Sequence, residues 1–239
     1  MKRIIFPFLG MFMLMLSSCL KKGDNFQSFG EEPAIVEFSL DLFQPVLSSR
    51  WGILVAPELQ DKFYTELYEG DVLWTWFTIN YDQQPSTEYT VASNVSYFKF
   101  EKGWSQATTN GESTTGDFDL PIEDMGVYNL FKNVMFLEFI HKAPKDQKFT
   151  YEMTYHPEKT GEISVVYIRA KKVGQSSENE TTVGYLYTFN MYSFFMQHKT
   201  SDNMVKFMIK FKTGEDDEGN DQYRDYVDNG RTVFEFPVE

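Results

Sequence analysis

The chain reads as an all-β protein with its strands in two groups, and three observations predict this. Period-two alternation of apolar and polar residues recurs along the sequence, helical periodicity is scarce, and the composition is that of an ordinary globular chain. With 42% hydrophobic and 24% charged residues, 15 Gly and 9 Pro, collagen-like and wholly disordered alternatives are excluded. Alternation is clearest where Phe149, Tyr151, Met153 and Tyr155 interleave with Lys148, Thr150, Glu152 and Thr154. It returns where Val205, Phe207, Ile209 and Phe211 interleave with Lys206, Met208, Lys210 and Lys212. Such strands turn one face to a core and the other to water. Further strands are expected over 34–41, 50–56, 72–81, 89–100, 133–142, 162–171, 183–191 and 231–236. The best helical candidate runs from Glu58 to Tyr68, where Leu59, Phe63 and Leu67 recur every four residues. Pro57 suits its first turn and Gly70 its end.

Between 101 and 118 the alternation lapses into a Ser/Thr/Gly-rich stretch, expected to be an interdomain linker over 103–118. Residues 33–102 then hold about four strands and a short helix, which suits a small OB-like barrel. Residues 119–239 offer six or seven strands, the count of an immunoglobulin-like antiparallel β-sandwich.

The first eighteen residues read as a lipoprotein signal peptide. Lys2-Arg3 is a short basic region, and Ile4 to Leu16 is a nearly apolar run of thirteen residues. A membrane-spanning helix needs roughly twenty, so this run is a secretory leader and not a span. Leu16-Ser17-Ser18-Cys19 resembles the bacterial lipobox, in which small residues before a cysteine admit the lipoprotein signal peptidase. In that chemistry the Cys19 thiol is alkylated by a diacylglyceryl group, and cleavage exposes an amine that takes a further, palmitate-type chain. One acyl chain anchors marginally and two or more anchor stably. The alternative is a chance thiol after an ordinary leader. Cys19 is the only cysteine, so the body of the chain has no disulfide and no thiolate metal site. Residues 19–32 are expected to be a flexible tether. The expected location is the cell envelope, as an outer-membrane lipoprotein facing the periplasm or the surface.

The lipobox, the run Glu69-Gly70-Asp71-Val72-Leu73 entering a strand, and the later run Phe136-Leu137-Glu138-Phe139-Ile140-His141 together resemble the NigD-like lipoproteins of Bacteroidetes. The resemblance implies an OB-like N-terminal barrel and a C-terminal β-sandwich. It supplies no catalytic residues, because no molecular activity is established for that family.

A formal charge of −13 argues against nucleic acid as a partner. No nucleophile elbow, HExxH, Walker loop, dinucleotide fingerprint or CxxC is present, so no catalytic residue and no cofactor is assigned. With 143–147 as a hairpin loop pairing 142 with 148, His141 faces Phe149 and lies roughly 24 Å from His156, too far for one metal ion. His198 stands alone in a polar stretch, and no metal site is expected. Glu215-Asp216-Asp217-Glu218, followed by Asn220 and Asp221, is either a calcium loop or a charged hairpin tip; the EF-hand spacing is absent. Aromatics make up 17% of the chain. Trp74 and Trp76 share one strand face with Val72, while Leu73, Phe77 and Ile79 occupy the other, so both faces are apolar. The Trp face needs a partner: the second domain, another chain, or a sugar ring. The expected function is a non-catalytic binding or assembly module held to the membrane by its lipid, with an envelope protein or a glycan as the possible ligand. A glycan-binding accessory protein and a hydrolase are the alternatives; the latter requires two carboxylates roughly 5–9 Å apart across a cleft.

Overall fold

A computed structural model describes residues 25–158, 161–174, 176 and 179–238. The leader, with Leu16, Ser17, Ser18 and Cys19, lies outside the described residues. The chain divides into two compact units between Phe98 and Lys99.

In the first unit, β1 (Phe26–Ser39), β2 (Gln44–Ser49), β3 (Gly52–Val55), β4 (Val72–Asn80) and β5 (Thr90–Lys99) close into a barrel in the order β1-β2-β3-β5-β4. Inward residues of alternate positions fill it, among them Phe29, Val36, Leu47, Leu54, Leu73, Phe77 and Ile79. The expected helix is only a 3-10 turn, Pro57–Lys62, with Pro in its first turn as anticipated. Phe63 is already extended, with φ −63° and ψ 136°, and Tyr64 follows at a left-handed φ of 67°, so the helical geometry does not continue. The every-fourth spacing nevertheless marks burial, because Leu59, Phe63 and Leu67 all enter the barrel core.

Part of the tether expected over 19–32 is strand. β1 begins at Phe26, and Phe26, Gln27, Ser28 and Phe29 pair with Asn80, Ile79, Thr78 and Phe77 of β4. A bulge between Phe29 and Glu32, with Glu31 at φ 55°, breaks the alternation that would have revealed the strand.

The second unit holds β6 (Glu101–Ala107), β7 (Asp124–Phe131), β8 (Val134–Ala143), β9 (Lys148–Tyr155), β10 (Ser164–Val173), β11 (Thr181–Asn190), α1 (Tyr192–His198), β12 (Met204–Glu215), β13 (Asp221–Asp225) and β14 (Val233–Pro237). They form one sheet in the order β13-β12-β10-β9-β6-β11-β8-β7, with β14 also on β12. This sheet curls over itself to make the two layers of a sandwich. β8 and β9 follow each other in sequence yet share no ladder: β8 pairs with β7 and β11, β9 with β6 and β10. They meet instead through side chains across the core, Phe139 stacking on Tyr151 at 4.0 Å and His141 on Phe149 at 4.4 Å. The register expected for a hairpin is thus kept, but between layers. Residues of β8, β9, β10, β12 and α1 share one hydrophobic core.

Two expectations for this unit are corrected. The sheet is mixed and not purely antiparallel: β6 runs parallel to both β11 and β9, and β10 runs parallel to β12. The linker expected over 103–118 is a structural part of the unit. Its first residues belong to β6, which joins the two halves of the sheet. The rest folds onto the outer face of β9, where Thr114 donates to Glu152 from both its backbone N–H and its hydroxyl. Gly103, which made the stretch look like a linker, is what lets β6 lie against β11. A Cβ there would come within 2.9 Å of the Phe189 ring and 3.2 Å of Tyr187.

Candidate functional site

Trp74 and Trp76 do project from the face of β4 opposite the barrel core, as the sequence places them. They part company in exposure: Trp74 is buried at 9% and Trp76 stays open at 37%. A flat platform needs both rings in solvent, so only Trp76 offers a face.

The histidines are distributed differently from expectation. His141 lies in the core, flat against Phe149. Its Nδ1–H donates to the Pro121 carbonyl at 3.2 Å, which fixes the tautomer and leaves Nε2 to accept from the Tyr151 hydroxyl at 3.0 Å. Burial lowers its pKa to about 4, so it is neutral at pH 7. Burial likewise pushes the Tyr151 phenol up.

His156 and His198 do meet, with Ser164, around a polar cleft of about 280 Å³ that Asn110, Glu158, Val165 and Tyr167 complete. The cleft lies at the end of β9, the start of β10 and the last turn of α1. Ser164 Oγ and His198 Nδ1 are 2.8 Å apart and both residues are buried. The His198 ring stacks on Phe194 at 4.7 Å and meets Tyr155 edge-on. The Glu158 backbone N–H donates to His156 Nδ1 at 3.0 Å. The i,i+4 spacing of Phe194 and His198 was the available signal that His198 belongs to a helix face; nothing local pointed to Ser164. Chemically the cleft offers hydroxyl, imidazole, amide and carboxylate groups for hydrogen bonding. Among the described residues no group of three His, Cys, Asp or Glu side chains could hold a metal ion.

One wall of this cleft is set by a buried ionic cluster that sequence reasoning missed. Arg169 of β10 is buried on the outer face of the sheet. Its guanidinium donates to the Tyr223 hydroxyl at 2.5 Å, Thr154 Oγ1 at 2.7 Å and the Gly111 carbonyl at 2.8 Å. Glu152 lies 3.7 Å away and Asp221 3.5 Å. Holding Gly111 holds Asn110, its neighbour on the cleft wall. Gly111 also needs its lack of a side chain, with φ +74° and a Cβ position 2.5 Å from the Tyr167 ring.

The acidic run is occupied by the protein's own cations and amides. Lys212, buried on β12, pairs with Asp221 at 2.6 Å and Glu215 at 3.0 Å. Burial opposes the ammonium charge, but these two carboxylates outweigh it and raise the pKa. Burial would raise Asp221, yet bonds from Lys212 and Tyr223 hold it below the usual carboxylate range. Asp216 closes the turn by accepting from the backbone N–H groups of Asn220 and Glu218, and these bonds, with the Asn220 side chain, lower its pKa. The loop is a hairpin tip between β12 and β13.

A scan against family models and a search of curated proteins return no match. Among solved structures the fold recurs over nearly the whole chain, always at low identity. An uncharacterized protein from Parabacteroides merdae superposes with a TM-score of 0.71 at 15% identity, covering 89% of this chain and 99% of that one. A protein provisionally described as a lipoprotein from Bacteroides fragilis gives 0.54 at 9% identity, with 90% and 98% covered. A NigD-like immunity protein from Bacteroides caccae gives 0.48 at 12% identity, with 89% and 98% covered. What these similarities define is a fold, an all-β chain of closed barrel and curled sheet.

Proposed function

We propose that the chain is a cell-envelope lipoprotein, carried on the outer membrane by acylated Cys19, whose two β units act as a non-catalytic binding or assembly module. The observation that carries this is the position of the first strand. β1 starts at Phe26, seven residues after Cys19, so cleavage before Cys19 removes the apolar leader and spares the fold. The similarity in fold to a protein provisionally described as a lipoprotein supports the same assignment. The His198 ring packs on Phe194 and Tyr155 while its Nδ1 bonds Ser164, which supports a packing role for this pair.

Fractionation of cells expressing the wild-type chain and Cys19→Ala tests the anchor. The wild type is expected in the membrane fraction and the variant in the soluble one. A variant that stays with the membrane contradicts lipidation at Cys19.

A further inference from the structure

We propose that the barrel end carrying the start of β1 lies on the bilayer surface, with Phe26, Trp51, Trp76 and Tyr81 seated in the lipid headgroup layer; this rests on the Cys19 anchor. The seven residues from Cys19 to Phe26 reach at most about 25 Å when fully extended. The anchor therefore keeps the start of β1 near the membrane, and the surface around it carries exposed aromatics.

The register places them together. Phe26 pairs with Asn80 and Ser28 with Thr78, so Phe26, Trp76 and Thr78 lie along one outer face of the β1–β4 ladder. The Trp76 ring rests on Gly30, whose Cβ position would be 3.0 Å from it, so it lies over the bulge. Tyr81 follows β4 directly, and its hydroxyl donates to Gln27 Oε1 at 3.2 Å. Trp51, in the β2–β3 turn, packs on Phe29 with ring centroids 4.6 Å apart. Phe26, Trp51 and Tyr81 are 52%, 48% and 42% exposed. Trp and Tyr, with an apolar ring and one polar edge, are the side chains that favour the membrane–water boundary.

The opposite end of the barrel also exposes apolar groups, Leu40 and Phe43, in the β1–β2 hairpin. They sit beyond the far end of a fourteen-residue strand, a contour of roughly 45 Å. The length of the connecting segment therefore selects the Phe26 end. Once Lys2 and Arg3 leave with the leader the formal charge of −13 becomes −15, which gives no general attraction to anionic lipid, so ring burial supplies the contact. Tethering raises the local concentration of the bilayer at this face, and weak contacts then suffice.

The test uses the lipidated full chain in phosphatidylcholine vesicles whose acyl chains carry bromine close to the headgroup. Bromine quenches nearby tryptophan, so wild-type emission is expected to fall relative to plain vesicles. W51F/W76F, which keeps a ring at both positions, is expected to lose most of that quenching while still floating with the vesicles; W104F, in the second unit, is expected to keep it. W76F alone, which leaves the Phe29 contact intact, is expected to lose part. Quenching that is absent, or that disappears in W104F and persists in W51F/W76F, overturns the docking while the anchor stands. Cys19→Ala that floats as well as wild type overturns the anchor, and the docking with it.

Discussion

His141 is neutral for a reason that reaches into the stability of the whole protein. Its folded pKa, lowered by burial to about 4, lies below the value near 6.5 that it takes when unfolded. The unfolded chain therefore binds a proton first as pH falls. The contribution of His141 is complete above pH 6.5 and is lost progressively down to about pH 4. Between pH 7.5 and 5 the loss should be about 2 kcal/mol. Urea unfolding at the two pH values measures it, and His141→Gln should flatten the difference. At the same scale, Gly103 shows how one residue type misleads. Glycine commonly marks a break in a strand pattern, but here it makes room for the Phe189 and Tyr187 rings, contacts that no local pattern contains.

Among elements, the alternating apolar residues were legible and their polar partners were not. Phe149, Tyr151, Met153 and Tyr155 enter the core as the period-two pattern says, and so do Val205, Phe207, Ile209 and Phe211. Glu152, Thr154 and Lys212 alternate with them and read as a wetted face, yet all are buried. The loop after β6 and the β12–β13 hairpin fold over that face, and Arg169 ties both to the sheet. Charged residues on a strand look alike whether water or another charge faces them, so this layer was invisible in the sequence. Arg169→Met leaves Glu152 buried without its cation, which should destabilise the second unit by about 3–5 kcal/mol. Amide exchange around Gly111 and Thr114 should rise with it, because the guanidinium no longer holds the Gly111 carbonyl. Urea unfolding with residue-resolved exchange measures both effects; wild-type protection at Gly111 in the variant would contradict the clamp.

For the molecule as a whole, the all-β class and the order of barrel and layered sheet could be read from strand spacing. The boundary could not, because β5 ends at Lys99 and β6 begins at Glu101, leaving no linker to see. Parallel pairings were also illegible, since alternation reports which face is buried and not which strand lies beside it. Of the candidate site, Trp74 and Trp76 were placed on the correct face, while the Ser164–His198 cleft depends on residues that only the curled sheet brings together. Intact mass measurement of the mature protein tests the central claim most directly. A polypeptide beginning at Cys19 and heavier by a diacylglyceryl group and an N-acyl chain is expected; a retained leader or an unmodified Cys19 thiol would contradict it.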